Sequence, residues 1–230
     1  MANLLNMRAV LGGVLVGSLL WSAEPAGPHP GLKDDALKQA LRKDRTHEAL
    51  SFSKAKMLIY SQIDNEGGVV IDRYAGERIK TQRVPLPHIA QLDHAFARTK
   101  LTDPSSQSDL HQLFVVDAEA RLARNILPFC DVLVPAWEKG GSRAGVDRRA
   151  RPCFEPRDEQ KGDTARAMFY TSVMYNLEID PAQEKTLRAW NERDKVDARE
   201  KKRNDAIAKA QKSRNPFVDH PELVKRIGNF

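Results

Sequence analysis

From Asp158 onward the chain is written almost entirely in helix, which confines any sheet to the middle of the sequence. DEQKGDTARAMFYTSVMYN (158–176) opens on Asp158 as a cap and carries an apolar face through Ala165, Met168, Phe169 and Val173. DPAQEKTLRAWNERD opens on Asp180, with Pro181 in the first-turn position that tolerates it. VDAREKKRNDAIAKAQKSRN continues as a strongly basic helix and closes at NPFVDHP. With no internal repeat in view, helices at one end and short strands in the middle predict an α+β fold.

Upstream, DDALKQALRK (34–43) places Leu37 and Leu41 four apart and predicts a short helix. KAKMLIYSQI predicts another, ending at Asn65-Glu-Gly-Gly. GVVIDRYAGERI alternates apolar and polar residues around Gly76 and predicts a β-hairpin. Residues 80–108 contain Pro85, Pro87 and DPSSQS and read as irregular. LHQLFVV (110–116) is strand-like, and DAEARLARN (117–125) is helical with Asp117 as its N-cap. The Gly/Arg-rich stretch 139–152 reads as a loop.

The N-terminus has Arg8, an apolar run from Ala9 to Trp21, and then small residues. Thirteen apolar residues are too few to span a bilayer as a free helix, so 1–23 is expected to be a signal peptide, with no stable membrane insertion once it is removed. Residues 24–50 are then a leader and short helix, and 51–227 the main domain. Export makes Cys130 and Cys153 a disulfide candidate, since an even pair in an oxidising compartment more often bonds than binds metal. A net charge of +6 biases the chain toward an anionic partner and excludes nothing else.

Chemistry concentrates in QLDHAFARTKLTDPSSQSDLHQLFVVDAEARLARN (91–125). Asp93 precedes His94, and Asp109 and His111 follow. Phosphodiester hydrolysis needs a base for the attacking water and positive charge on the developing phosphorane. A histidine, with a metal held by a nearby carboxylate, supplies both. The competing reading is a satisfied structural histidine, and for His111 that reading is favoured.

LDHAFA, SDLHQLFVVDAEARLARNILPF, FEPRDEQKGDTARAMFY and the run through AWNERDKVDAREKKRNDAIAKAQKSRNPFVDHPELV resemble the bacterial endonuclease I family of secreted nucleases over roughly residues 51–227. The resemblance implies a ββα-metal (His-Me finger) core, a hairpin and helix around one divalent ion, wrapped by mostly C-terminal helices. It also implies cutting of DNA and often RNA with little sequence preference. In the family's Glu-His-x-Trp-Pro motif the Glu holds the metal and the His activates water. LDHAFA puts Asp93 and His94 in those places, with Phe96 for Trp and Ala97 for Pro. The metal expected from the resemblance is one divalent cation, magnesium first, if one binds; His111 with Asp109 would orient the core.

The chain departs from the pattern most at Arg121, where the family's short helix presents an Asn ligand, and Cys130 stands where the family has Gly. A guanidinium is always protonated and has no lone pair to give a metal. Three readings follow. The protein cuts nucleic acid with a weakened metal site. Or Arg121 replaces the ion as a fixed cation while His94 acts as base. Or Arg121 and Asp93 form a salt bridge and the domain binds nucleic acid, or is structural, without turnover. Arg124, Lys139, Arg143 and Arg166 are the expected phosphate contacts, with Arg148, Arg149 and Arg157 beside them.

Overall fold

The computed structural model describes residues 27–230; the signal peptide expected over 1–23 lies outside them. Helix α1 (Asp34–Asp44) buries Leu37 and Leu41, as their spacing predicts. Those two leucines enter the main apolar core, and α1 lies on the long C-terminal helix, where Arg42 donates to the Val173 carbonyl at 3.0 Å. Helix α2 (Phe52–Leu58) is capped by Ser51 and passes into a π-turn, Ile59–Ile63. A three-stranded antiparallel sheet follows, made of β1 (Asn65–Glu66), β2 (Val69–Ile71) and β3 (Arg78–Lys80). The expected hairpin is the β2–β3 pair, and Gly76 in its turn has φ +74°, a conformation that side chains disfavour.

The stretch 80–108, which reads as irregular, contains the strand that matters most. Strand β4 (Ala90–His94) pairs antiparallel with β5 (Leu113–Asp117), setting Asp93 opposite Phe114 and His94 opposite Leu113. Flanking prolines hide β4 from a periodicity reading, while its burial on both faces removes the alternation that marks a strand. The one-turn α3 (Pro104–Gln107) lies in the long connection. Leu110–Gln112 form a 3-10 turn capped by Asp109, so the strand begins later than its sequence suggests. Helix α4 (Ala118–Arg124) starts directly on Asp117, whose carboxylate accepts from the Glu119 and Ala120 amides. β4, β5 and α4 are the ββα unit.

Residues 139–152, expected as a loop, are instead partly sheet. β6 (Val134–Lys139), β7 (Ser142–Val146) and β8 (Pro152–Glu155) form an antiparallel meander. Gly145 sits in β7 because a side chain there would collide with the Val134 carbonyl, so a glycine that suggests a loop marks a close strand approach. Cys130 and Cys153 are bonded, with Cα atoms 5.7 Å apart, and tie this sheet to the segment after α4.

Helix α5 (Asp158–Tyr175) runs through the middle of the molecule with nearly every residue from Gln160 to Met174 buried. Asp158 is its first helical residue and not the cap, which falls on Arg157 without a side-chain bond. Helix α6 (Pro181–Arg193) is capped by Asp180 as expected. The basic run does not continue it: the chain breaks, recaps on Asp197, and forms α7 (Ala198–Gln211). A short α8 (Pro216–Asp219) and a 3-10 turn at Pro221–Arg226 close the chain. Helices gathered around one central helix, with small antiparallel sheets on the other side, give the α+β architecture.

Candidate active centre

The register of β4 on β5 fixes the centre. Asp93 is three positions back along the pair from Asp117, where α4 begins. At about 3.3 Å per strand residue that is roughly 10 Å, and four residues on from Asp117 the helix covers about 6 Å. A long side chain at 121 closes the remainder. Arg121 places Nε 3.0 Å from Asp93 Oδ1. On the other oxygen, Tyr74 donates its hydroxyl to Oδ2 at 2.8 Å, and Arg124 Nε stands 3.9 Å away. Asp93 itself is buried. Burial, then the neighbouring Asp93 charge, push the Tyr74 phenol well above its usual range, so Tyr74 stays a neutral donor.

His94 is also buried, with its ring stacked on Phe52 at 5.9 Å. Its Nε2 lies 2.9 Å from the Gln107 carbonyl oxygen. A carbonyl only accepts, so Nε2 carries the proton and the lone pair of the neutral ring is on Nδ1. Nδ1 has no hydrogen-bond partner among the described residues and is not closed off from solvent. Burial lowers the His94 pKa below the ordinary imidazole value, and Arg98 and Arg121 push the same way. The Gln107 bond and Asp93 oppose them without prevailing. The ring is therefore neutral near pH 7 and able to take a proton. His94 and Asp93 are consecutive in β4 but have separate partners, Phe52 and Gln107 for the ring, Tyr74, Arg121 and Arg124 for the carboxylate.

The donor set does not fit a divalent ion. Both Asp93 oxygens are engaged by cationic or donor groups, and Arg121 brings a permanent charge to the place a second ligand would need. Among the described residues, no group of three or more His, Cys, Asp or Glu converges where an ion could be held.

The expected phosphate contacts are largely corrected. Arg166 is fully buried in α5, where it donates to Glu200 at 2.6 and 2.8 Å and to the Asp194 carbonyl at 2.8 Å; it is out of reach of a polynucleotide. Arg124 is 2% exposed, donates to the Ala95 and Asn125 carbonyls, and stacks on Phe129 at 4.3 Å. It stands behind Asp93 as a second guanidinium. Lys139 is held by Glu77, Asp117 and Glu119, each at 3.2 Å, and Arg143 by Glu155 at 2.5 Å, so neither offers a free charge. Arg148 and Arg149, in contrast, line a cavity of about 530 Å³ next to the centre, whose wall includes Ala95, Phe96 and Arg124.

His111 donates from Nε2 to the Ser213 carbonyl (3.0 Å) and stacks on Tyr170. Because a carbonyl is the partner, Nε2 is the donor here too. Burial pulls its pKa down to about 4. Asp109 accepts from Arg45, Tyr170, Tyr175 and Gln211, joining the leader helix, α5 and α7 at one buried carboxylate. Both residues hold the core behind the centre.

Sequence reasoning missed Tyr74, Gln107, Phe52 and Asp72. Asp72 accepts from the Tyr74 and Ala75 amides and so shapes the turn that aims Tyr74 at Asp93. Burial, with the Asp117 carboxylate beside it, pushes Asp72 up to about 7. An Asp two residues before an aromatic in a turn is the local signal that could have flagged it.

An antiparallel strand pair followed directly by a short helix, bridged here from Asp93 to Arg121, is the ββα unit of a nuclease fold. The chain belongs to the Endonuclease I family, whose model matches residues 35–222. Among curated proteins it is 29% identical, over 97% of this chain and 88% of the relative, to a protein of Bacillus subtilis (strain 168) named extracellular ribonuclease. It is 30% identical, over 86% of this chain and 75% of the relative, to a protein of the same name from Bacillus amyloliquefaciens. Nucleic acid is accordingly the class of substrate the family defines. Among the described residues no helix is long and apolar enough to cross a membrane.

Proposed function

We propose that the protein is an exported, low-specificity endonuclease acting on RNA and DNA, in which Arg121 takes the place of the family's divalent cation and His94 is the general base. One observation carries this reading. The carboxylate that would hold a metal is bound to Arg121 at 3.0 Å, while His94, the next residue of the strand, keeps an unprotonated Nδ1 without a protein partner among the described residues. A base for the nucleophile and a fixed positive charge for the phosphorane are the two things phosphodiester cleavage needs. Tyr74 and Arg124 hold Asp93, and Asp93 in turn orients Arg121, so the guanidinium is pre-organised. Arg148 and Arg149 beside the cavity would take the flanking phosphates. Export is supported by the N-terminal sequence and by the names of the two relatives.

The same ion pair favours a second reading, in which the site is locked by its salt bridge and the domain binds nucleic acid without turnover. Purified mature protein incubated with plasmid DNA and with RNA, in magnesium and in excess EDTA, separates them. Cleavage that persists in EDTA and is lost in His94→Ala supports the arginine-substituted enzyme. Retarded but intact nucleic acid supports the binding domain.

A further inference from the structure

We infer that the cavity between the first sheet and helix α7 is a second binding site, separate from the ββα centre, for a phosphate-type oxyanion. The site stands independently of the chemistry assigned to His94 and Arg121.

The cavity holds about 120 Å³, room for a tetrahedral anion the size of a few waters. Five cationic side chains line it: Arg73 and Arg78 from the β2–β3 hairpin, and Arg199, Lys202 and Arg203 from α7. The strand register sets Arg78 opposite Ile71, two residues before Arg73. Positions 199, 202 and 203 are three and four apart, so they share one helix face. They also occupy the first two turns of α7, where the helix dipole disfavours cations. The basic run of the sequence thus turns part of its charge toward the sheet.

Nearby carboxylates answer only part of that charge. Asp64 is buried and accepts from Arg73 Nη2 at 2.7 Å and from Arg203 Nε at 2.8 Å. Against the cost of burial, Arg203 and Arg73 hold its carboxyl down at about 2, so it stays charged. Glu66 takes Lys202 at 2.7 Å, and Asp163 and Asp197 lie 3.0 and 3.8 Å from Arg199. Arg78, exposed at the start of β3, makes no ion pair among the described residues. Arg73 is 6% exposed, and its Nε and Nη1 are buried without a partner among the described residues. A buried donor left without an acceptor is costly, so it marks a place where a ligand or water supplies the oxygen. Guanidiniums arriving from both a hairpin and a helix offer donors from more than one direction, which suits a tetrahedral oxyanion. Two sources share this chemistry: a backbone phosphate of bound nucleic acid, and free phosphate.

The test is thermal unfolding of the mature protein against inorganic phosphate, at fixed pH, with sodium chloride holding the ionic strength constant. A bound anion raises the midpoint along a saturable curve, whereas general salt stabilisation does not saturate. The double variant Arg78→Ala/Lys202→Ala, altered only at exposed side chains, should weaken that binding about tenfold or more, and Arg78→Lys/Lys202→Arg should retain it. No saturable response, or an equal response in the alanine variant, would overturn the site. The source is read from the salt dependence of RNA binding, with His94→Ala as the background that prevents cutting. A slope of log K on log salt shallower by about 0.7 or more in the alanine variant assigns the site to a backbone phosphate. An unchanged slope assigns it to free phosphate.

Discussion

Arg121 reaches across from the short helix to Asp93 on the facing strand, Nε to Oδ1 at 3.0 Å, and joins by an ion pair two elements that a metal ion would otherwise join by coordination. Because Asp93 is buried and Arg121 is partly exposed, the pair orients the guanidinium without removing it from solvent.

Replacing that guanidinium should therefore cost catalysis more than fold. Arg121→Asn is expected to lower EDTA-resistant RNA cleavage by about 10²–10³, the usual effect of losing one charge-stabilising donor. It should also make the residual rate respond to magnesium, since Asn restores a neutral ligand beside Asp93. Initial rates with and without the ion measure both effects; an unchanged EDTA-resistant rate would show that Arg121 is a bystander.

Tyr74→Phe removes the hydroxyl that donates to Asp93 Oδ2 and leaves a buried acceptor with one partner fewer. A loss of about 1–3 kcal/mol in stability is expected, visible as a lower midpoint in urea. A further loss of activity under folding conditions would show that Asp93 placement, and not folding alone, depends on Tyr74.

Acid should silence His94 only below the ordinary imidazole range. Burial lowers its pKa, so the neutral base persists to lower pH than a free histidine would. The acid limb of kcat/KM is expected to have its midpoint below 6.5, and the imidazole contribution to that limb should vanish in His94→Ala. A midpoint above 6.5 would mean that His94 gains a charge partner that the present arrangement does not provide.

Arg166 gives a contrasting prediction. It is buried against Glu200, so Arg166→Ala should destabilise the fold by about 3–5 kcal/mol, as expected when one partner of a buried pair is removed. The salt dependence of RNA binding by the folded fraction should not change, because Arg166 touches no phosphate. Calorimetric unfolding and binding titrations at two salt concentrations distinguish the roles.

One carboxyl and one histidine give the pH course of stability two opposite slopes. His111 has a folded pKa near 4 against an unfolded value near 6.5, so the native state binds fewer protons between them. That contribution is complete above 6.5 and is lost as pH falls toward 4. Asp72 runs the other way: its folded pKa near 7 exceeds the unfolded 3.8, so the contribution present in acid is lost as pH rises toward 7. His111→Phe should therefore flatten the acid side of a stability profile, and Asp72→Asn the stretch between pH 4 and 7.

Capped helices were the most legible part of the sequence, because Asp117, Asp180 and the Leu37/Leu41 spacing are local signals that survive in the fold. The identities of Asp93, His94 and Arg121 were legible through family resemblance, and their pairing at 93 and 121 was one of the readings, but the contacts with Tyr74, Gln107 and Phe52 were not. Strand β4 was hidden because a strand buried on both faces loses its alternation and sits between prolines. Arg166 misled because an arginine bears the same charge in a core as on a surface; only Glu200, 34 residues away, decides which. Tyr74 was invisible for the same reason, reaching Asp93 from 19 residues upstream.

The most direct measurement is the rate of RNA cleavage by the mature protein in excess EDTA compared with saturating magnesium. With Arg121 as the resident cation, the two rates should agree within a few-fold. A rate that collapses in EDTA and returns on adding magnesium would contradict the account, because an ion would then be holding the phosphate where Arg121 is assigned to do so.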